Sequence, residues 1–257
     1  MRAFEPRVAL ASLSGESDAA WARRGGPFAG AAFLGGIALD EPTREAARAM
    51  VGRDRTEFLP SDPVAFVDEQ LRALSDVPIS AGVNVRTTTL DPLRRVAEVC
   101  DRHRATVEIN AHCRQEEMCA AGAGETLLGE SDRLCEQVRA AAATGAAVSV
   151  KVRAEVPGVD LPALAAAVEE AGATAFHVDA MDSEPVIADV AGATDALVIA
   201  NNGVRDAETV REYLEYGADA VSVGRPSDDP AVLGRVRAAT EAYFAGSDRR
   251  PHAGVRR

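Results

Sequence analysis

The sequence predicts an α/β protein of the (β/α)8 (TIM) barrel class, folded as a single domain. Two observations support this prediction. The second half repeats a pattern of helix, glycine and apolar strand, and the length of 257 residues is close to that of such barrels. No linker or low-complexity stretch divides the chain. We therefore expect one barrel over residues 1–246, followed by a disordered tail at residues 247–257.

In the repeat, a helix-like segment ends four times in Gly-Ala and leads into a short apolar run. A glycine just past a helix end supplies the left-handed conformation that stops the helix. Runs that are continuously apolar, and do not alternate with polar residues, indicate strands buried on both faces. The four dipeptides are Gly145-Ala146, Gly172-Ala173, Gly192-Ala193 and Gly217-Ala218.

The same reading applied to the whole chain gives eight strands with helices between them. A doubly wound sheet is the alternative arrangement for this order of elements. Ser131, followed by acidic Asp132, is expected to cap the helix that begins there. Strands are expected at residues 8–12, 31–33, 78–84, 106–110, 147–152, 175–178, 196–200 and 220–223. Helices assigned individually are expected at residues 18–24, 42–52, 63–74, 91–102, 132–143 and 231–244.

The composition is strongly acidic, with 40 Asp and Glu against 28 Lys and Arg, a formal net charge of −12. With its high arginine and alanine content, it resembles proteins of salt-loving archaea, so a halophilic archaeon is the expected kind of source. An acidic surface disfavours electrostatic capture of nucleic acid at ordinary ionic strength. In a very salty environment this argument is weaker, because salt screens the repulsion between the two partners. The N-terminus lacks a signal-like apolar core and no run of 18 apolar residues occurs, so a cytoplasmic protein without a membrane partner is expected.

Lys151 is the only lysine of the chain. It lies in the apolar strand-like run at residues 147–152. Arginine replaces lysine easily on a surface, but its rigid fork cannot replace a compact ammonium in a tight pocket. The position therefore indicates a site that needs a small cation, unless this one lysine codon survived by accident.

Polar residues follow the carboxyl ends of most predicted strands, which is where barrels place their functional residues. They include Lys151 and most of the residues with reactive side chains. Together with their neighbours Leu13, Gly203 and Gly224, the residues at these strand ends are, in order along the chain, Ser12, Leu13, Ser14, Asn84, Arg86, Asn110, His112, Cys113, Arg114, Lys151, Arg153, His177, Asp179, Asn201, Asn202, Gly203, Gly224 and Arg225.

The last two strands indicate a phosphate site. Asn202-Gly203 and Gly224-Arg225 each precede a predicted helix, and glycine lets backbone N–H groups face an anion. Loops after the seventh and eighth strands are the usual phosphate site of barrels. A ligand that carries phosphate is therefore expected.

Six motifs, spread over most of the chain in the right order, resemble those of the tRNA-dihydrouridine synthase family, which are barrels that bind flavin mononucleotide (FMN). The opening Leu10-Ala11-Ser12-Leu13-Ser14-Gly15-Glu16-Ser17-Asp18 resembles the family's Leu-Ala-Pro-Met-Ala-Gly-Val-Thr-Asp. The other similar segments are Asn110-Ala111-His112-Cys113, Ala121-Gly122-Ala123-Gly124 with Leu127-Leu128, Val150-Lys151-Val152-Arg153 with His177, Ile199-Ala200-Asn201, and Gly224-Arg225. The variant around Cys113 looks most like a short archaeal branch of the family.

The resemblance implies an oxidoreductase with FMN as cofactor, NADPH or NADH as reductant and tRNA as partner. Reduced FMN would give hydride to C6 of a uracil, and Cys113 would protonate C5 from the opposite face; a thiol with a pKa near 8.5 suits that task. Asn110, His112 and Arg153 would bind the substrate. The residues implied in cofactor binding are Ser12, Leu13, Ser14, Asn84, Lys151, His177, Asn201, Asn202, Gly203, Gly224 and Arg225.

Departures from the family pattern leave alternatives open. His112 and Arg114 replace the glycine and proline that flank the family's cysteine, and no counterpart of its C-terminal tRNA-gripping domain follows the last predicted helix. One alternative is an FMN enzyme that acts on a free pyrimidine such as dihydroorotate. Another is a non-catalytic barrel that binds a phosphate ligand or a partner protein. His112, Cys113 and Cys119 could instead ligate zinc, although no metal is the preferred interpretation because the spacing is unusual.

Overall fold

The computed structural model describes residues 3–246, so the predicted tail at 247–257 lies outside the described residues. Eight parallel strands close into a barrel in chain order, from β1 to β8 and back to β1. The (β/α)8 barrel is confirmed, and the doubly wound alternative is wrong. The strands are β1 (Val8–Leu10), β2 (Ala31–Ala38), β3 (Ser80–Arg86), β4 (Thr106–Ala111), β5 (Ala147–Arg153), β6 (Ala175–Asp179), β7 (Leu197–Asn201) and β8 (Ala220–Val223).

Helices connect the strands and cover the outside of the barrel. Several begin at an aspartate whose side chain accepts a backbone N–H of the first turn, as Asp40 and Asp160 do. None of the described helices is long and apolar enough to cross a membrane. The helices are α1 (Ala19–Gly25), α2 (Glu41–Val51), α3 (Pro63–Arg72), α4 (Leu90–His103), α5 (Glu116–Ala120), α6 (Ser131–Ala142), α7 (Leu161–Glu170), α8 (Val186–Ala193), α9 (Ala207–Glu215) and α10 (Pro230–Gly246). Short 3-10 helices span Gly124–Gly129 and Arg225–Asp228.

Three of the four predicted glycine stops are confirmed. Gly145, Gly172 and Gly217 follow α6, α7 and α9 with φ of 96°, 113° and 100°. The prediction for Gly192 is wrong, because this glycine lies inside α8, which ends one residue later at Ala193 and is followed by extended Thr194. The turn into β7 is therefore made without a left-handed residue.

Three strands differ from the sequence prediction by two residues or more at an end, and one predicted cap is wrong. β1 ends at Leu10 and not at residue 12. β2 continues to Ala38 because Gly35 and Gly36 do not form a turn; a Cβ at Gly35 would lie 2.4 Å from the carbonyl oxygen of Asn84 on β3. β3 is shifted by two residues and ends at Arg86. Ser131 is the first residue of α6 and makes no capping hydrogen bond, so its predicted role as the cap is wrong.

The barrel interior has an apolar part and a polar part. Alternate strand residues point inward, and Ala9, Ala31, Phe33, Ile199 and Ala220 pack together as a small core separate from the main one. The ring of Phe33 lies 5.3 Å from that of His177, where the polar part begins. From His177 to the carboxyl ends of the strands, the side chains of the interior are polar. The packing of the interior therefore places the site at that end.

Candidate active site

A cavity of about 930 Å³ opens at the carboxyl ends of the strands. Its lining is cationic although the chain is acidic: seven arginine and lysine side chains face three carboxylates, while the whole chain carries a formal charge of −12. An anionic ligand is therefore favoured here and not on the outer surface. The cationic residues are Arg55, Arg86, Arg114, Lys151, Arg153, Arg205 and Arg225, and the acidic ones are Glu16, Asp54 and Asp179.

Lys151 is a buried cation without a direct partner among the described residues. Its side chain is only 2% exposed and lines the cavity, and within residues 3–246 no hydrogen bond or ion pair reaches its ammonium group. Burial holds the pKa of Lys151 below its ordinary value, although the charges of Glu108 and Asp179 oppose this shift. Such a group is costly unless a ligand completes its environment.

Beneath the cavity, Glu108 on β4 is the centre of a buried polar network. Its Oε1 accepts from Asn84 Nδ2 at 2.8 Å, and its Oε2 accepts from the Ser149 hydroxyl at 3.1 Å and lies 2.8 Å from His177 Nδ1. The other ring nitrogen of His177 lies 2.7 Å from Ser222 Oγ. Burial alone would raise the pKa of Glu108, but His177, Lys151 and Asn84 together hold it below its ordinary value. The network is thus a buried carboxylate enclosed by hydrogen-bond donors, on which the charge of Lys151 also acts.

Asn110 connects this network to the loop that carries Cys113. Its Nδ2 donates to Asn84 Oδ1 at 2.8 Å, and its Oδ1 accepts the backbone N–H groups of His112 and Cys113 at 3.2 and 2.9 Å. Cys113 is 8% exposed and faces the cavity. Because both the nitrogen and the oxygen of the Asn110 amide are engaged, this side chain fixes the backbone of the cysteine loop.

His112 bridges two strands across the mouth of the barrel. Its Nε2 lies 3.2 Å from Asp179 Oδ2 at the end of β6, and the other oxygen of Asp179 accepts from Asn202 Nδ2 at 2.8 Å. Burial lowers the pKa of His112, and the positive charge of Lys151 adds to this while Asp179 opposes it. The imidazole is therefore held neutral near pH 7.

The two arginines at the ends of β3 and β5 are each tied to a carboxylate. Arg86 Nη1 lies 2.6 Å from Glu57 Oε2, and both side chains are buried. Arg153 Nη1 donates to Glu125 Oε2 at 2.8 Å, and Glu125 belongs to the 3-10 helix at Gly124–Gly129. Both arginines line the cavity. Their two carboxylate partners therefore balance part of the positive charge that a ligand would meet there.

The loops after β7 and β8 leave open space beside their glycines. A Cβ at Gly203 or at Gly224 would meet no atom within 4 Å, and both glycines line the cavity. Arg225 follows directly, and within the described part of the chain its side chain forms no hydrogen bond or ion pair. An anion can approach the backbone here closely.

Most of the residues singled out from the sequence meet in this one cavity, although their roles stay predictions. Asn84 and His177 do not line it; both are fully buried beneath it. Among residues 3–246 no three His, Cys, Asp or Glu side chains form a group that could hold a metal ion. The lining includes Ser12, Leu13, Ser14, Asn110, His112, Cys113, Lys151, Arg153, Asn201, Asn202, Gly203, Gly224 and Arg225.

Sequence reasoning missed Glu108, Ser149, Ser222 and the Glu57 partner of Arg86. Glu108 stands between apolar residues in β4, and Ser222 does so in β8. A polar side chain in a strand buried on both faces is a signal that could have located the network. Glu57 lies between α2 and α3, and nothing in its local sequence indicates that it pairs with Arg86.

Comparison with known proteins identifies the family. The sequence profile of the dihydrouridine synthase family (Dus) matches residues 83–252. The chain belongs to the dihydrouridine synthase family. It is thus a member of a family of FMN-dependent oxidoreductases. An uncharacterized protein of Methanocaldococcus jannaschii is 26% identical over 234 residues, which cover 86% of this chain and 89% of that protein.

Solved structures support the fold of this dihydrouridine synthase family member. The FabK mutant structure from Thermotoga maritima has a TM-score of 0.54 at 17% identity, over 87% of this chain and 63% of that one. Salmonella typhimurium 3-hexulose-6-phosphate synthase has a TM-score of 0.55 at 15% identity, over 94% of this chain and 100% of that one. A chain of the Pyrococcus furiosus tryptophan synthase complex has a TM-score of 0.56 at 12% identity, over 94% and 99% of the two chains. At such identities these likenesses concern the barrel alone.

Proposed function

We propose that this dihydrouridine synthase family member is an FMN-dependent reductase that converts uridine in tRNA to 5,6-dihydrouridine, with Cys113 as the general acid. The single observation that carries the proposal is that one cavity is lined both by the Lys151 ammonium, which has no hydrogen bond or ion pair with residues 3–246, and by the loop that carries Cys113. The Lys151 ammonium is suited to binding an anionic ring system, and the Cys113 thiol is suited to proton transfer.

The cavity residues fit FMN. Lys151 would lie near the pyrimidine edge of the flavin, where a cation stabilises the anionic reduced ring. Gly203, Gly224 and Arg225 would hold the phosphate, since their backbone faces open space and the Arg225 side chain forms no other ion pair within residues 3–246. Bound FMN would supply the hydride that is added to C6 of the uracil ring.

The chain's own residues would fix and deliver the proton. Asn110 holds the Cys113 backbone by accepting its N–H at 2.9 Å, so the thiol is presented to the cavity from a constrained loop. Cys113 would protonate C5 and become a thiolate that recovers its proton from solvent. Asn84 and His177 would not contact the flavin directly, because both lie beneath the cavity. They would act through Glu108, to which both side chains are hydrogen-bonded.

A nucleic-acid substrate is supported by the family and by the charge of the cavity. Seven cationic residues line it in a chain of net charge −12, so phosphate groups would be attracted to this opening in particular. His112 and Arg153 would contact the uridine, since both side chains line the cavity beside Cys113. The acidic composition favours the second candidate, reduction of a free pyrimidine, because the outer surface would repel RNA.

The dihydrouridine content of tRNA tests the function directly. We expect tRNA from a deletion strain to lose dihydrouridine, wild-type protein to restore it, and the Cys113→Ala variant to restore it at least about 100-fold more slowly, since a positioned general acid contributes at least that much.

The matched comparison is Cys100→Ala, which removes a buried thiol on α4, outside the cavity. Unchanged dihydrouridine in the deletion strain would contradict the tRNA substrate. If the purified protein then reduced a free pyrimidine, the second candidate would replace the first.

A further inference from the structure

Glu125 makes hydrogen bonds both to the loop that carries Cys113 and to the arginine at the end of β5. Its backbone N–H donates to the carbonyl oxygen of Cys113 at 2.9 Å, and its Oε2 accepts from Arg153 Nη1 at 2.8 Å. Cys113 and Arg153 line the cavity, whereas Glu125 lies outside its lining. The proposed mechanism thus gives a task to both of these residues and none to the residue that joins them.

The backbone of Cys113 is held at both of its polar groups. Asn110 Oδ1 accepts the N–H of Cys113 at 2.9 Å, and the carbonyl oxygen of Cys113 accepts the N–H of Glu125. Gly124 permits the second contact, because its φ is 65° and a Cβ there would lie 2.2 Å from the Cys113 carbonyl oxygen. The position of the cysteine therefore follows the position of the 3-10 helix that begins at Gly124.

Glu125 orients Arg153 without occupying all of its donors. The Arg153 side chain is 11% exposed, so a charge-assisted hydrogen bond to a carboxylate is worth more here than on the open surface. Its Nη2 lies 3.0 Å from the sulfur of Met181, which is a weak acceptor, and its Nε has no hydrogen-bond partner among residues 3–246. These two nitrogens remain for a ligand while Nη1 is fixed.

We propose that Glu125 is a positioning residue that couples Arg153 to Cys113. Its carboxylate and its N–H belong to one residue, so the arginine that would hold the uridine and the thiol that would protonate it are placed through one short helical segment. Substrate bound to Arg153 would thereby stabilise the arrangement of the cysteine loop that the reaction needs. The inference rests on the proposed function for the tasks of Arg153 and Cys113, but the link between them can be measured without it.

Alkylation of Cys113 by iodoacetamide measures how firmly its loop is held. The residue is 8% exposed, so the reagent reaches the thiol mainly when the loop opens. The extent of modification at Cys113 is read from the mass of its peptide. Four proteins, each the full chain, form a double-mutant cycle: the wild type, Glu125→Ala, Arg153→Met and the variant that carries both substitutions.

Coupling through Glu125 predicts that both single variants react about tenfold faster, as loss of one charge-assisted hydrogen bond implies. The double variant should react no faster than either, because the same link is already broken. Charge alone would act differently: removal of the carboxylate would favour the thiolate and removal of the arginine would disfavour it, so the two rates would move in opposite directions.

Four results would overturn the assignment. They are opposite shifts in the two single variants, effects that multiply in the double variant, unchanged rates, and a Cys113 that reacts in none of the proteins. Urea unfolding of each variant shows that the compared proteins are folded.

Two controls separate the link from a general effect of substitution. Glu125→Gln keeps an acceptor for Arg153 Nη1 and should restore most of the slow reaction. Glu241→Ala, Arg237→Met and their combination make the same changes in an ion pair on α10, and each should react at the wild-type rate.

Turnover of tRNA tests the positioning role itself. Glu125→Ala should lower kcat about 10- to 100-fold, because a displaced acid fails in the chemical step, and Glu125→Gln should recover most of the loss. A rise in KM with kcat unchanged would overturn the coupling. Alkylation needs neither flavin nor RNA, so a wild type that does not act on tRNA would refute the proposed substrate without altering the alkylation result.

Discussion

At the scale of single residues, the candidate site is built from buried polar groups that differ in how many hydrogen-bond partners they have. Glu108 has three side-chain partners, whereas Lys151 has none among residues 3–246. The first arrangement stabilises the barrel interior and the second leaves a place for a ligand. Lys151 could be predicted because it is the only lysine in the sequence. The partners of Glu108 come from β3, β5 and β6, so no local pattern reveals them.

The two histidines of the site, His112 and His177, predict how the stability of the fold depends on pH. Burial lowers the pKa of both His177 and His112, so the unfolded chain binds more protons than the folded one below about pH 6.5. Stability is therefore present above that pH and is lost as pH falls, at up to about 1.4 kcal/mol per pH unit for each histidine.

Urea unfolding at several pH values checks this loss. The His177→Gln variant keeps one donor and one acceptor but cannot titrate, so its free energy of unfolding should fall less steeply below about pH 6.5. If the free energy of unfolding fell equally steeply with pH in the wild type and in the variant, His177 would not contribute to the pH dependence of stability.

At the scale of elements, the site depends on how loops pack against one another at the mouth of the barrel. The strand and helix order was predictable because each βα unit repeats the same local pattern. The ends of the elements were less predictable. The sequence predicts that β2 ends at residue 33, yet the strand continues through Gly35-Gly36 against β3, because the two strands approach closely there. Contacts between segments distant in sequence decide such details.

Gly15 tests the contact between the loop after β1 and the segment that carries Glu57. Gly15→Ala places a methyl group against the backbone of residues 56 and 57 at a left-handed position, so we expect a loss of about 1–3 kcal/mol in the free energy of unfolding. Gly129→Ala is the control, because a Cβ there meets nothing within 4 Å and its φ is not left-handed. Its effect should stay within about 0.5 kcal/mol. Equal stability of the two variants, measured by urea unfolding, would show that the loops do not pack as described.

At the scale of the whole molecule, charge is distributed unevenly. A chain of net charge −12 directs seven cationic side chains into one cavity at the carboxyl end of its barrel. The sequence predicted where this site lies, because barrel topology brings the strand ends together. It could not predict that Asn84 and His177 lie below the cavity, since strand stagger and side-chain direction decide which inward residues reach the opening.

The flavin content of the purified protein tests the central claim most directly. We expect visible flavin absorbance and about one FMN released per chain on denaturation. The Lys151→Met variant should bind FMN about 10- to 100-fold more weakly, as loss of a charge-assisted hydrogen bond implies. Arg237→Met, on the outer helix α10, should bind it as the wild type does. A colourless wild-type protein that takes up no added FMN would contradict the account and leave a barrel with an anion site around Lys151.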